Sequence, residues 1–436
     1  MIELLGIFVS LLIFMGFSLF PFQVQYCEKV IFKRENCLYD VFFLNLLINF
    51  SILFLISFTK INNFYYFIII LSGSVITNIY FFNKNKKSLI KYFNINFLFF
   101  IIFNLIIYFY IAKDPTLNWD GQNNWVFKAQ NFFYDYNFFD LNEIKEANYY
   151  PHFGTLLWGF FWKNSLLQFE YSGRLIYVFI FLVSIFSICD LLNKKNHIII
   201  LISSGIILIC FDSFLFKGYQ EVLIFSFLIY VSKNIYHYIL SQKKLFLVIC
   251  FFSLNFLPWI KNEGYLYPII FSLSLLFTIK NFPKKLEILL FIFFSAILLI
   301  TKNLIFYKYM SINLLHGGNL DLFLNLGDLK EFILLMFVGF IVATFKYKIW
   351  FFILASIFLF YKSKNIKTKD MILIRVLSIN LLLFVLSVLG IYFSVIQHSY
   401  GLNWWIDNSL DRILYQISGL LIILIIVKIN YLKIRF

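Results

Sequence analysis

Charge is scarce in this chain. Asp, Glu, Lys and Arg make up 14% of the 436 residues, against 61% apolar. A water-soluble domain carries about a quarter charged and half apolar residues, so a soluble globular protein is excluded. The same composition excludes disorder, collagen, a coiled coil and a small disulfide scaffold. Cys27, Cys37, Cys189, Cys210 and Cys250 form no CxxC and no metal-ligand spacing, and their odd number argues against a disulfide framework. No HExxH, Walker loop, GxGxxG or nucleophile elbow occurs. A soluble domain, a low-complexity linker and a clear internal repeat are also missing. The last absence counts against the inverted-repeat carriers.

What the chain does have is apolar length. At roughly 20 residues per bilayer crossing, its apolar residues would fill about thirteen spans. Runs bounded by charge predict an all-α polytopic membrane protein with spans near 4–22, 41–58, 64–82, 95–112, 172–189, 198–215, 222–240, 245–260, 264–279, 286–306, 349–361, 372–395 and 413–430. The N-terminus has no basic region and no small-residue cleavage site, so it reads as a retained first span. The abundance of Phe, Ile, Asn and Lys has the look of AT-rich codon drift and carries no chemistry. Lys outnumbers Arg by 32 to 5, which makes each Arg more informative.

Lys and Arg mark the cytoplasmic side. They gather at Lys29/Lys33/Arg34, Lys84/Lys86/Lys87/Lys91, Lys194/Lys195, Lys243/Lys244, Lys280/Lys284/Lys285, Lys362 to Lys369, and the tail. With these inside, the N-terminus lies outside and the C-terminus inside. Most of the net charge of +15 then follows from topology and calls for no nucleic acid, although anionic lipid would be attracted. Residues 332–345 are apolar but short. Treating them as a span would put the Lys362–Lys369 cluster outside, so 331–348 is expected to be interfacial or re-entrant on the outer face; a fourteenth span is the alternative. The chain divides into N-terminal spans (1–94), a core module (95–306) holding the outer connection 113–171, an outer loop with the interfacial segment (307–348), and C-terminal spans (349–436).

Charges inside the hydrocarbon are costly and usually functional, and almost none is expected at mid-span. Polar residues gather instead at outer span ends. In Asn118-Trp119-Asp120-Gly121, Asp120 suits a general base accepting a proton from an acceptor hydroxyl; it equally suits an N-cap. From Trp125 onward, Ala129, Phe132, Phe133 and Tyr136 recur at a spacing that predicts an interfacial helix with its aromatics toward the membrane. Trp119 is by default an interface anchor. In Tyr149-Tyr150-Pro151-His152, His152 is either a turn residue or part of an aromatic wall for a sugar ring. Two outer hairpins, Lys217-Gly218-Tyr219-Gln220-Glu221 and Lys261-Asn262-Glu263-Gly264, pair a Lys with a Glu. They are either phosphate holders, with Gly allowing close backbone approach, or ordinary surface turns with weak ion pairs. Arg412 heads the last span on its outer side. It suits bidentate phosphate binding or a structural pair with Asp407 or Asp411.

The order WDG…W..KA, YPH, KGYQE, KNEG, SLDR over about 114–412 resembles the multispanning GT-C glycosyltransferases, in particular the branch of protein mannosyltransferases and lipid A aminoarabinose transferases. The resemblance implies an enzyme of the cytoplasmic membrane that takes a sugar from a polyprenyl phosphate at the outer leaflet and passes it, with inversion, to a lipid, glycan or protein acceptor. It implies Asp120 as catalytic base, Glu221 and Glu263 at the later acidic positions, and Lys261 and Arg412 facing the lipid phosphate, with Trp119, Lys128, His152 and Lys217 in the substrate site. Two features depart from the family: three spans precede the large loop after the first, and Asp120 is followed by Gly where some relatives have a second acid, so a divalent cation is not certain. The competing readings are an O-antigen polymerase or ligase, whose large loop lies late, and a lipid-linked glycan flippase, which needs a polar lumen through mid-span.

Overall fold

A computed structural model describes residues 2–32, 37–84, 92, 94–143, 151–192, 196–309, 326–362, 367–394 and 401–430. Most of the connection 307–331, Tyr149 and Tyr150, and the basic residues Lys33, Arg34, Lys86, Lys87, Lys91, Lys194, Lys195, Lys433 and Arg435 lie outside these. The described residues are all-helical, without strands. Helices are what an apolar chain must form where water cannot satisfy the backbone.

Two compact units divide the chain, Met1–Ser226 and Phe227–Phe436. The first holds α1 (Ile2–Ser18), α2 (Leu38–Ile56), α3 (Asn63–Lys84), α4 (Ile95–Lys113), α5 (Val126–Phe133), α6 (Phe153–Lys163), α7 (Glu170–Cys189), α8 (Asn196–Cys210) and the start of α9 (Glu221–Ser241). The second holds the rest of α9, then α10 (Lys244–Ile260), α11 (Leu266–Phe277), α12 (Lys285–Tyr309), α13 (Leu326–Lys346), α14 (Ile349–Lys362), α15 (Thr368–Ser394) and α16 (Asp411–Ile429).

In the first unit α7 is the axis. It is buried along its whole length and packs against α1, α2, α4, α6 and α8. In the second, α16 packs against α13, α14 and α15, while α11 packs against α10, α12 and α15.

Each expected span coincides with a helix, but their lengths differ from expectation. Among the described residues eight helices are long and apolar enough to cross a membrane, or nine if α13 and α14 form one broken span. The chain therefore has the architecture of a multi-pass membrane protein. α1, α8 and α10 are apolar but shorter, and α11 has 12 residues, about 18 Å at 1.5 Å per residue.

The first span stops at Ser18, short of the expected residue 22, and side chains of α2 explain how. Asn45 Nδ2 donates to the Ser18 and Phe22 carbonyls (both 2.8 Å), and Asn49 Nδ2 to those of Phe17 (2.8 Å) and Phe20 (2.7 Å). These bonds replace the helical ones lost where the chain unwinds.

Most of the 331–348 segment belongs to a full helix, α13, which ends at Lys346 and meets α14 at 95°. Lys346 pairs with Asp411 at the head of α16. A Cβ on Gly339 would sit 2.6 Å from Ile406. So α13 and α14 do not form one straight crossing; the bend fits a broken span as well as a re-entrant segment.

Candidate functional site

In the first unit, three of the quoted motifs converge. Arg174 of α7 is completely buried. Its Nη1 donates to the Phe216 carbonyl and its Nη2 to the Pro115 carbonyl, both at 2.7 Å. Nε and Nη2 also fork onto the Glu170 carboxylate at 2.7 and 2.9 Å. One guanidinium thus clips the segment before Asn118 to the hairpin that holds Lys217. The Asn118 amide then donates to the Lys217 carbonyl (2.9 Å) and Asn118 Nδ2 to the Phe214 carbonyl (2.8 Å).

This clip places Asp120, half-buried, beside the Lys217-Gly218 turn. Its side chain makes no capping hydrogen bond to the π-helical turn Gly121–Trp125 that follows, so the capping role is not realised. Trp119 is 70% exposed, as an anchor would be. Lys217 Nζ donates to Asp114 (2.5 Å) and to the Thr116 hydroxyl (3.0 Å). The bond from Lys217, with the one the Thr116 hydroxyl donates to Asp114 (2.6 Å), holds the Asp114 carboxyl down to about 2.

α5 forms where its spacing predicted, but its apolar face is turned into the protein. Trp125, Ala129 and Phe132 are buried, and a Cβ on Gly159 of α6 would lie 2.3 Å from the Ala129 carbonyl. Only Gly at that position lets α6 come so close. Lys128 is enclosed too, its Nζ 5.6 Å from the centre of the Trp125 ring. Burial pushes its ammonium well below the usual lysine range. His152 is equally enclosed, between the rings of Phe132 and Phe138. Neither presents an open face to a sugar. Glu221, at the head of α9, is fully buried behind Gln220, whose Nε2 donates to the Tyr177 hydroxyl (3.1 Å).

The second unit gathers the remaining motifs. Lys261, itself buried, pairs with Glu263 at 3.1 Å. Beneath them Lys302 Nζ donates to the Pro258 carbonyl (2.5 Å) and lies 3.6 Å from the centre of the Tyr265 ring. Arg412 directs Nε (3.0 Å) and Nη2 (2.6 Å) onto the Asn408 carbonyl, and Asp411 is taken by Lys346. Tyr392, hydrogen-bonded to Ser409 at 2.6 Å, lies within electrostatic reach of Glu263, Asp411 and Arg412.

The glycines of the two hairpins each allow a close approach of protein backbone. A Cβ on Gly264 would lie 2.0 Å from the Leu257 carbonyl, and one on Gly218 would lie 2.7 Å from the Gly121 Cα. Among the described residues no three His, Cys, Asp or Glu side chains form a group able to hold a metal ion, so no step is assigned to one. Two buried cations went unnoticed as site residues in the sequence. Arg174 is signalled by Glu170 four positions earlier and by the rarity of Arg. Lys233 lies midway along α9 and is fully buried, against the expectation that almost no charge sits in mid-span. No family model, curated protein or solved structure matches this chain.

Proposed function

We propose that this protein is a membrane glycosyltransferase of GT-C type. It moves a sugar from a polyprenyl-phosphate donor to a lipid, glycan or protein acceptor on the outer face of the cytoplasmic membrane. The observation that supports this reading is the position of Asp120: half-buried, and two residues after Asn118, which is bonded to the hairpin holding Lys217. A carboxylate at that position suits a general base for an acceptor hydroxyl.

The donor brings a good leaving group, so the protein has to orient it, stabilise the charge building on the phosphate and take one proton. Within the second unit, the resemblance implies Lys261 and Arg412 as the cations for that phosphate, and Glu263 pairs with Lys261 at 3.1 Å. Lys217 is assigned a structural part, since Asp114 and Thr116 already hold its ammonium. Lys128, His152 and Glu221 support the site from within, because all three are enclosed.

Mass spectrometry of cell-envelope glycans tests the proposal. A deletion strain should lack one sugar on one glycan or protein class, restored by the native gene and not by Asp120→Asn at equal abundance. An unchanged glycan profile in the deletion strain would remove the proposal.

A further inference from the structure

An open groove of about 480 Å³ runs between α10 and α12 in the second unit. Val248, Phe251 and Phe252 form one wall and Leu290, Phe294 and Leu298 the other. Val248, Phe252, Leu290 and Phe294 are each close to half exposed, so the groove opens onto whatever surrounds the helices.

Its only polar lining residues, Lys244 and Glu287, sit together at one end, 3.7 Å apart. Glu287 also pairs with Lys284 at 3.5 Å and accepts the Tyr238 hydroxyl at 2.9 Å. Lys243, Lys280 and Lys285 lie in the same two connections. One carboxylate is outnumbered by five ammonium groups at that end, which leaves it strongly cationic.

The depth of the groove is informative. From Glu287 to Leu298 the helix rises about 16 Å, roughly half the ~30 Å hydrocarbon core of a bilayer. An apolar trough one leaflet deep with a cationic mouth complements an anionic phospholipid in shape and charge.

We propose that this groove binds one anionic phospholipid of the leaflet on the lysine side. An acyl chain lies along the trough, and Lys244 and Lys284 hold the phosphate. Basic pockets between spanning helices are suited to such headgroups. The site requires only that the chain cross a membrane, so it stands or falls independently of sugar transfer.

Native mass spectrometry of the full chain, released from nanodiscs of mixed phosphatidylcholine and phosphatidylglycerol, tests it. The native chain should retain phosphatidylglycerol in preference. Lys244→Gln with Lys284→Gln should lower that preference about 25-fold, at about fivefold per lysine near the surface. Val248→Trp or Leu290→Trp, which fill the trough without touching the lysines, should reduce retention of the bound lipid. Equal retention of the two lipids, a preference unchanged by the lysine variants, retention unchanged by both tryptophans, or a lipid-free dimer would each overturn the proposal.

Discussion

The backbones of Gly121 and Gly218 touch: a Cβ on Gly218 would lie 2.7 Å from the Gly121 Cα, and one on Gly121 would lie 2.6 Å from the Lys217 carbonyl. This contact joins the segment carrying Asp120 to the turn that leads into α9. Gly218 is also held at φ +102°, where a side chain is strained. Gly218→Ala should therefore destabilise the chain by about 1–3 kcal/mol, read as a lowered unfolding temperature in detergent. An unchanged temperature would mean that the two segments are free to separate.

Arg174 and Glu170 give a second test. Arg174→Met leaves the Glu170 carboxylate, and the Pro115 and Phe216 carbonyls, without their donor. Breaking a buried pair from one side costs about 3–5 kcal/mol. Glu170→Gln added to Arg174→Met should recover part of that loss, because the stranded charge is gone. Thermal unfolding of the two single variants and the double gives the coupling; strict additivity would show that the pair is not coupled.

Asp114 predicts a pH response. Its carboxyl is held at about 2, below the ordinary 3.8, chiefly by the hydrogen bond from Lys217 and then by that from Thr116. A depressed acid favours the fold fully above its unfolded value and loses that contribution as pH falls through its folded value. The Asp114–Lys217 link should thus persist from neutral pH into the acid range and fade between about 4 and 2. Carboxyl-carbon NMR of the native chain should place the titration near 2, and Lys217→Gln should move it up toward 3.8.

Lys261 bears on the donor. It is buried and paired with Glu263 at 3.1 Å, so its loss removes a charge-assisted contact worth about 1.5–3 kcal/mol. Lys261→Gln should lower kcat/KM for the prenyl-phosphate donor by roughly 10- to 150-fold, measured per mole of folded protein because the variant also leaves Glu263 without its ion pair. An unaltered kcat/KM would take Lys261 out of the donor site.

The helices were legible in the sequence because apolar length and flanking charge are local signals. α5 is an instructive case: its periodicity located the helix, yet the buried face meets Gly159 of α6, a partner that the spacing of Trp125, Ala129 and Phe132 does not name. Pro21 signals an early end to α1 within the run 4–22 itself, but the bonds that satisfy the last carbonyls come from Asn45 and Asn49 of another helix, which that run does not name. Lys128 and His152 illustrate the same limit at the site. Their residue types suggest ligand contact, while their burial is decided by Trp125, Phe132 and Phe138 around them. Asp120 was legible as a candidate from its motif. Arg174, which fixes the surroundings of Asp120, shows its role only through bonds to Pro115 and Phe216.

The claim that Asp120 takes the acceptor's proton can be met directly with purified protein in liposomes. Polyprenyl-phosphate sugars extracted from membranes serve as the donor pool, a cell-envelope extract as the acceptor, and free polyprenyl phosphate is followed by mass spectrometry. Removing a general base costs about 10²- to 10⁴-fold in rate. Asp120→Asn should accordingly release polyprenyl phosphate at least a hundredfold more slowly than the native chain while unfolding at the same temperature. Release at the native rate by that variant would contradict the account.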